Sequence, residues 1–257
     1  MLPYQNPPTA QFENNTVLTS RNPHVVDFND EVGGQINFIY APNDKLSFEL
    51  NGSIASKHYQ YEDIDTSSVI NYQRIERGNS WLPDMSNAFS PFWEIYLQAE
   101  NYYSDRLYGK LALVFQNNVV YNQIIPSSSE IIKTTTVPLE VKYSFTNKYT
   151  LTFVNETQWA SNSINIGDKN YINQYNSLTY SISPILNFTV SSEFTNNEDE
   201  PTGKKSWFTG DVSYKLNESN TFGVSYGSER GGLKCTNGIC RFVQPFEGFR
   251  VLIATQY

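Results

Sequence analysis

Alternation with a period of two, sustained over blocks of about ten residues, constrains this chain more than any other feature. Between Phe92 and Tyr103, Trp93, Ile95, Leu97, Ala99 and Tyr103 fall on one face, and Glu94, Gln98 and Glu100 on the other. The next block sets Leu107, Leu111, Leu113 and Phe115 against Lys110, Ala112 and Gln116. Val137, Leu139, Val141, Tyr143 and Phe145 then oppose Glu140, Lys142 and Ser144. Leu151 and Phe153, with Tyr149 and Trp159 at the ends, oppose Thr150, Thr152, Glu156 and Gln158. Leu178, Tyr180 and Ile182 oppose Ser177, Thr179 and Ser181, and Leu186, Phe188, Val190 and Phe194 oppose Asn187, Thr189, Ser191 and Glu193. Successive side chains of a strand point to opposite sides, so each block reads as a strand with one apolar and one polar face. Composition agrees. Aromatics make up 15% of the 257 residues, which favours strands and excludes a globally disordered chain.

The connections alternate in length. Short ones fall at 41–44, 104–105, 146–148, 183–184 and 217–220, and long ones at roughly 58–90, 118–135, 161–170, 196–205 and 228–246. The long ones are rich in Asn, Ser, Asp, Gly and Pro, as loops are. This rhythm predicts an all-β, antiparallel up-and-down barrel of about 11–12 strands, with tight turns at one end and long loops at the other. Residues 1–31 read as an outer loop or irregular N-terminal segment, and 32–257 as the barrel. The twelfth strand, if present, lies within 14–28, at Thr16-Val17-Leu18 or Val25-Val26.

Soluble sandwiches also alternate, so a secreted β-sandwich is the rival fold. Three features favour a transmembrane barrel. Blocks of about ten residues suit a tilted strand crossing a bilayer, whereas soluble strands average about 5–6. Tyr and Trp collect at strand ends (Trp93, Tyr103, Tyr143, Tyr149, Trp159 and Tyr214), where a membrane interface places its aromatic girdles. The polar face carries Glu49, Glu94, Glu100, Lys110, Glu140, Lys142, Glu156, Glu193, Asp211 and Arg250, which a wet lumen tolerates. No stretch of about 18 apolar residues exists to form a transmembrane helix.

The last ten residues, Gly248 to Tyr257, place Phe249, Val251, Ile253 and Tyr257 on one face and end on an aromatic. They resemble the terminal strand by which the barrel-assembly machinery recognises bacterial outer-membrane proteins. If Tyr257 is periplasmic, the first clear strand, about Val32 to Tyr40, also runs inward, and residues 1–31 lie outside. An odd strand number and an N-terminus unlike a signal peptide together predict the C-terminal portion of a larger barrel.

Cys235 and Cys240 flank Asn237-Gly238, a strong turn signal, and read as a small disulfide-closed hairpin in an oxidising compartment. Around them, Gly227-Ser228-Glu229-Arg230-Gly231-Gly232-Leu233, Cys240-Arg241, Pro245-Phe246 and Gly248-Phe249-Arg250 resemble a family of uncharacterised outer-membrane barrels, domain of unknown function 6029, from Gram-negative bacteria of the Bacteroidota kind. Asn6-Pro7-Pro8-Thr9 and His24-Val25-Val26-Asp27 look similar to an outer loop of those proteins. The resemblance implies an outer-membrane location and longer relatives with a signal peptide and upstream strands. It brings no established activity or catalytic residues.

Chemistry is sparse. Any Ser–His–acid set must use His24 or His58, and no exposed Ser turn accompanies either. The run Asn196-Asn197-Glu198-Asp199-Glu200 lacks the spaced ligands of a dedicated calcium loop. The net charge of -8, from 26 acidic and 18 basic residues, argues against nucleic acid. The expectation is a non-enzymatic, cofactor-free, porin-like pore or structural barrel. Its partners would be outer-membrane lipid, the assembly machinery and a small polar solute or cation, because the inward face carries more acids than bases. A surface-exposed binding or scaffold barrel is the rival function, suggested by the long polar loops.

Overall fold

A computed structural model describes residues 16–22, 24, 30–63, 72–76, 81–122, 129–236 and 239–255, with backbone alone at 60–63, 72–76, 233–236 and 239–243. Eleven strands form one antiparallel sheet: β1 (Glu31–Asn43), β2 (Leu46–Lys57), β5 (Phe92–Tyr102), β6 (Leu107–Val120), β7 (Glu130–Ser144), β8 (Tyr149–Asn162), β9 (Asn170–Ile182), β10 (Leu186–Thr195), β11 (Ser206–Lys215), β12 (Asn220–Glu229) and β15 (Phe246–Thr255). Each pairs with its neighbours in that order, as an up-and-down sheet must. Two hairpins, β3 (Tyr59–Asp63) with β4 (Tyr72–Glu76) and β13 (Gly232–Thr236) with β14 (Ile239–Val243), are inserted in the first and last long connections. Among the described residues no hydrogen-bonded pairing joins β1 to β15, and no helix is long and apolar enough to cross a membrane.

The short connections fall near where they were expected, except that β1 runs through 41–43 and its turn is Asp44-Lys45. Asn43 Oδ1 accepts from the amides of Lys45 and Leu46 at 2.9 and 3.0 Å, and Asn217 Oδ1 from those of Ser219 and Asn220 at 3.0 and 2.8 Å. Such side-chain bonds mimic a backbone turn and fix where the chain reverses. One long connection is shorter than expected. β7 begins at Glu130 because the β-branched run Ile131, Ile132, Thr134, Thr135 and Thr136 extends the strand. Residues 16–18 form no strand; the stretch 16–21 is a turn ending in a 3₁₀ turn at Thr19–Arg21. Val25 and Val26 lie outside the described residues, as do Asn6 to Thr9 and Tyr257.

Register separates the faces. One row across the sheet runs Asn51, Tyr96, Val114, Thr136, Gln158, Asn173 and Thr195, and every member is buried. The opposite face carries exposed Ile54, Ile95, Leu97, Leu111, Phe153, Leu178, Val190, Phe208 and Val251. The buried face is therefore the largely polar one. The sheet must also be strongly curled. Arg21 bonds Glu193 on β10, while His24 bonds Glu31 on β1 at 3.0 Å. Those strands stand seven steps apart in the sheet, about 34 Å if it were flat. Three residues of chain reach only about 10 Å.

Gly227 marks a tight point in this wall. Its φ is +129, and a Cβ there would sit 2.1 Å from the Phe208 carbonyl oxygen. Gly210 on β11 would meet nothing nearer than 3.9 Å. Gly227→Ala is expected to destabilise the β11–β12 pairing by about 1–3 kcal/mol, whereas Gly210→Ala leaves stability nearly unchanged. Urea midpoints of the two refolded variants check this.

Candidate functional site

Residues 16–22 and 24 lie against the inward, polar face of the sheet. Glu156 on β8 is fully buried, and its carboxylate accepts from the amides of Val17 and Leu18 at 2.8 and 2.6 Å. Gln158, one inward position along, donates to the Leu18 carbonyl at 3.1 Å and to Thr136 Oγ1 at 3.0 Å, and accepts from Asn173 at 2.8 Å. Gln116 on β6 donates to Glu94 at 2.6 Å and to the Thr19 carbonyl at 3.5 Å, and accepts from Thr134 at 3.0 Å. The period-two pattern places these amide and carboxyl groups inward, and the turn at 17–21 presents its backbone amides and carbonyls to them. Val17 and Leu18 pack on Tyr175, and His24 stacks on Phe92 with ring centroids 4.5 Å apart.

Charge closes the same region from the loop end. Arg21 binds Glu193 at 2.5 Å and donates to the Gly231 carbonyl at 2.5 Å. Arg230, just past β12, reaches Glu193 at 3.1 Å and Glu200 at 2.7 Å, with its guanidinium 5.2 Å above the Trp207 ring. Glu193 thus bridges two arginines from segments 209 residues apart in the chain. Arg250 pairs with Glu229 at 3.1 Å.

Glu49, Glu94, Glu100, Lys110, Glu140, Lys142, Glu156, Glu193, Asp211 and Arg250 all occupy inward register positions, but in two zones. Glu94, Glu156 and Glu193 lie in the sealed half nearer the long loops. Toward the tight turns, Glu49, Glu100, Glu140 and Asp211 share the inward face with Lys110, Lys142 and Lys215, with Lys110 and Glu140 paired at 3.2 Å, while Arg250 is held by Glu229. This half is wetter: a cleft of about 340 Å³ opens there, bordered by Tyr108, Glu140, Lys142 and Arg106. Part of the expected acid excess therefore sits where Arg21 and Arg230 are bound, and the open half carries charges of both signs.

Phe249, Val251 and Ile253 share the outward face of β15, opposite Tyr226, Val224 and Phe222 of β12. The β13–β14 register sets Cys235 opposite Cys240; the sulfurs lie outside the described residues, so the structure shows no disulfide there. Sequence reasoning missed Tyr96, buried inward between Glu94 and Gln98, and the interior placement of residues 16–24. The first breaks the polar face with an aromatic, and the second has no periodicity. Among the described residues, no group of three or more His, Cys, Asp or Glu is placed to hold a metal ion.

The sequence profile of a family of unknown function (DUF6029) matches residues 4–257. No curated protein matches. Two crystal structures of the toluene transporter TodX of Pseudomonas putida are similar in shape. One has a TM-score of 0.37 and 8% identity over 79% of this chain and 64% of the transporter. The other has 0.37 and 9% over 78% and 64%. This chain thus spans less than two thirds of either transporter's length.

Glu156→Ala is expected to release residues 17 and 18. A hydrogen bond to a charged group contributes about 1.5–3 kcal/mol, so losing two raises amide exchange at Val17 and Leu18 by at least tenfold. Hydrogen exchange of those two amides, compared with Thr152→Ala lower on the same strand, reads the effect.

Proposed function

The chain belongs to the family of unknown function DUF6029, and we propose that it is an outer-membrane β-barrel whose lumen is a passive conduit closed by residues 16–24. One observation carries this reading: the sheet hides its polar face and presents its apolar one. Ile36, Phe38, Leu50, Ile95, Leu111, Val190 and Val251 are all 40% exposed or more. A wall of that size suits lipid, and water would penalise it. Strand length supports the membrane setting. Tyr149 and Trp159 stand at opposite ends of the outward face of β8, about 33 Å apart along the strand and about 25 Å apart after a tilt of about 40°. That spacing fits the apolar band between two aromatic girdles.

The interior supports a conduit. His24 stacks on Phe92 and bonds Glu31, and His58 lies beside Asp30. We assign no cofactor. The partners that fit are lipid along the wall, the barrel-assembly machinery during insertion, and a small polar solute or cation in the lumen. Closure also governs selectivity. With residues 16–22 in place, Glu156 is bound by backbone amides and Glu193 by two arginines; without them, Glu156 lines the passage uncovered and Glu193 keeps Arg230 alone. Acidic rings favour cations.

In planar bilayers the intact protein is expected to conduct weakly. A variant lacking residues 16–21 is expected to conduct several-fold more, with a reversal potential shifted toward cations. A silent deletion variant that is otherwise folded overturns the conduit. The membrane setting is tested apart from it. Val190→Arg, on the outward face, is expected to lower folding stability in lipid vesicles by about 2–4 kcal/mol, whereas Thr189→Arg, facing the lumen, costs far less. Equal effects overturn the assignment of faces.

A further inference from the structure

The outward wall is not uniformly apolar. Near the long-loop end, a cleft of about 570 Å³ runs across β5 to β9. Trp93, Phe115, Trp159 and Ile172 form its apolar walls, and Lys133 stands at its upper edge. Lys133 is exposed, and no carboxylate pairs with it among the described residues. Directly below, the outward register positions turn polar on three adjacent strands: Thr157 and Asn155 on β8, Gln174 and Asn176 on β9, and Ser192 on β10. Asn155 and Asn176 bond each other at 2.7 Å. The Gln174 amide is exposed and has no partner among the described residues.

In hydrocarbon such groups are costly unless something satisfies them. These positions lie between Phe153, Leu178 and Val190 on one side and Trp159, Ile172 and Phe194 on the other, inside the apolar band. The vertical order is a cation at the rim, aromatic walls beneath it, then neutral hydrogen-bonding side chains, then aliphatic surface. A membrane lipid with a phosphate headgroup has the matching order: an anion at the interface, ester or amide linkages just below, and acyl chains deeper.

We infer that the outer wall over β6 to β10 is a site for one anionic, phosphate-bearing lipid, with Lys133 on the phosphate and Gln174 and Thr157 on the acyl linkages. This rests on the membrane reading. Charge complementarity selects a lipid over a second copy of the chain, because a two-fold contact would bring two Lys133 ammonium groups together with no carboxylate in the patch. A glycerophospholipid and a phosphorylated saccharolipid share the recognised chemistry.

The test uses the full chain in nanodiscs of phosphatidylcholine doped with phosphatidylglycerol, or with lipid A, followed by native mass spectrometry of the lipid retained. A lysine at the membrane surface contributes about 1 kcal/mol toward an anionic lipid, so the expected preference over phosphatidylcholine is about fivefold. Lys133→Gln should abolish that preference. Gln174→Leu should lower retention of both headgroup classes alike, and adduct mass tells which anionic lipid is held more tightly. Retention that is equal for neutral and anionic lipids, or a preference that survives Lys133→Gln, overturns the site. Failure to enter nanodiscs overturns the membrane reading instead, and a lipid-free protein dimer overturns the choice of occupant.

Discussion

Everything in this structure follows from a sheet whose buried face is its polar one. In a soluble sandwich the apolar faces meet and the core needs few hydrogen bonds. Here the concave side collects Glu94, Gln116, Thr136, Glu156, Gln158, Asn173 and Glu193, all nearly water-free. Each such group must find a partner or pay a desolvation cost of about 1–3 kcal/mol, more if charged. An irregular segment can supply them. Residues 16–21 bring amides that no backbone carbonyl claims and carbonyls with lone pairs to spare, so Glu156 binds the amides of Val17 and Leu18 while Gln158 and Gln116 bind the carbonyls of Leu18 and Thr19.

Satisfaction is not complete, and the gaps are localised. The Oγ1 atoms of Thr16 and Thr19, Arg21 Nε, both amide atoms of Asn51 and Ser53 Oγ are buried without a protein partner among the described residues. Asn51 and Ser53 lie on β2, next to the edge strand β1, while the well-bonded groups lie on β6 to β10. Residues 16–21 are bonded mainly to β6–β10, while His24 bonds Glu31 on β1 and stacks on Phe92 of β5. All of these are side-chain contacts to the wall, so breaking them would free the segment without unpairing any strand.

Much of the wall was legible in the sequence because strand geometry is local. Asn43 and Asn217 define turns through bonds within three residues, and Leu151, Phe153, Glu156 and Gln158 declare their faces by parity alone. Lumen contents were not legible. The partners of Glu193 are Arg21 and Arg230, which lie 172 residues before it and 37 after it, and no spacing rule joins them. Tyr96 was hidden for another reason: on an inward position it looks like an error in the alternation, yet its hydroxyl bonds Gln98 at 2.6 Å and its ring packs on Ala112 and Val114. Asn155 and Gln174 carry the opposite exception, polar side chains on the apolar face, and parity alone cannot tell a fault from a site.

Acid excess on the inward face suggested cation preference, and the structure changes what that excess means. Counting charges along strands treats all inward carboxylates as equal, but their surroundings differ by zone. Glu49, Glu100 and Glu140 share their half with Lys110 and Lys142, so the surface at the turn end carries both signs. Glu156 and Glu193 are committed to residues 17, 18 and 21 and to Arg230. Coulomb attraction between unit charges at about 4 Å is about 4 kcal/mol in a protein-like dielectric and about 1 kcal/mol in water. Water entering the sealed half would therefore weaken the contacts that exclude it, and the closed lumen is held cooperatively. Under the proposed conduit, the carboxylate that holds residues 17 and 18 is the one their departure would uncover, so closure and selectivity would share Glu156.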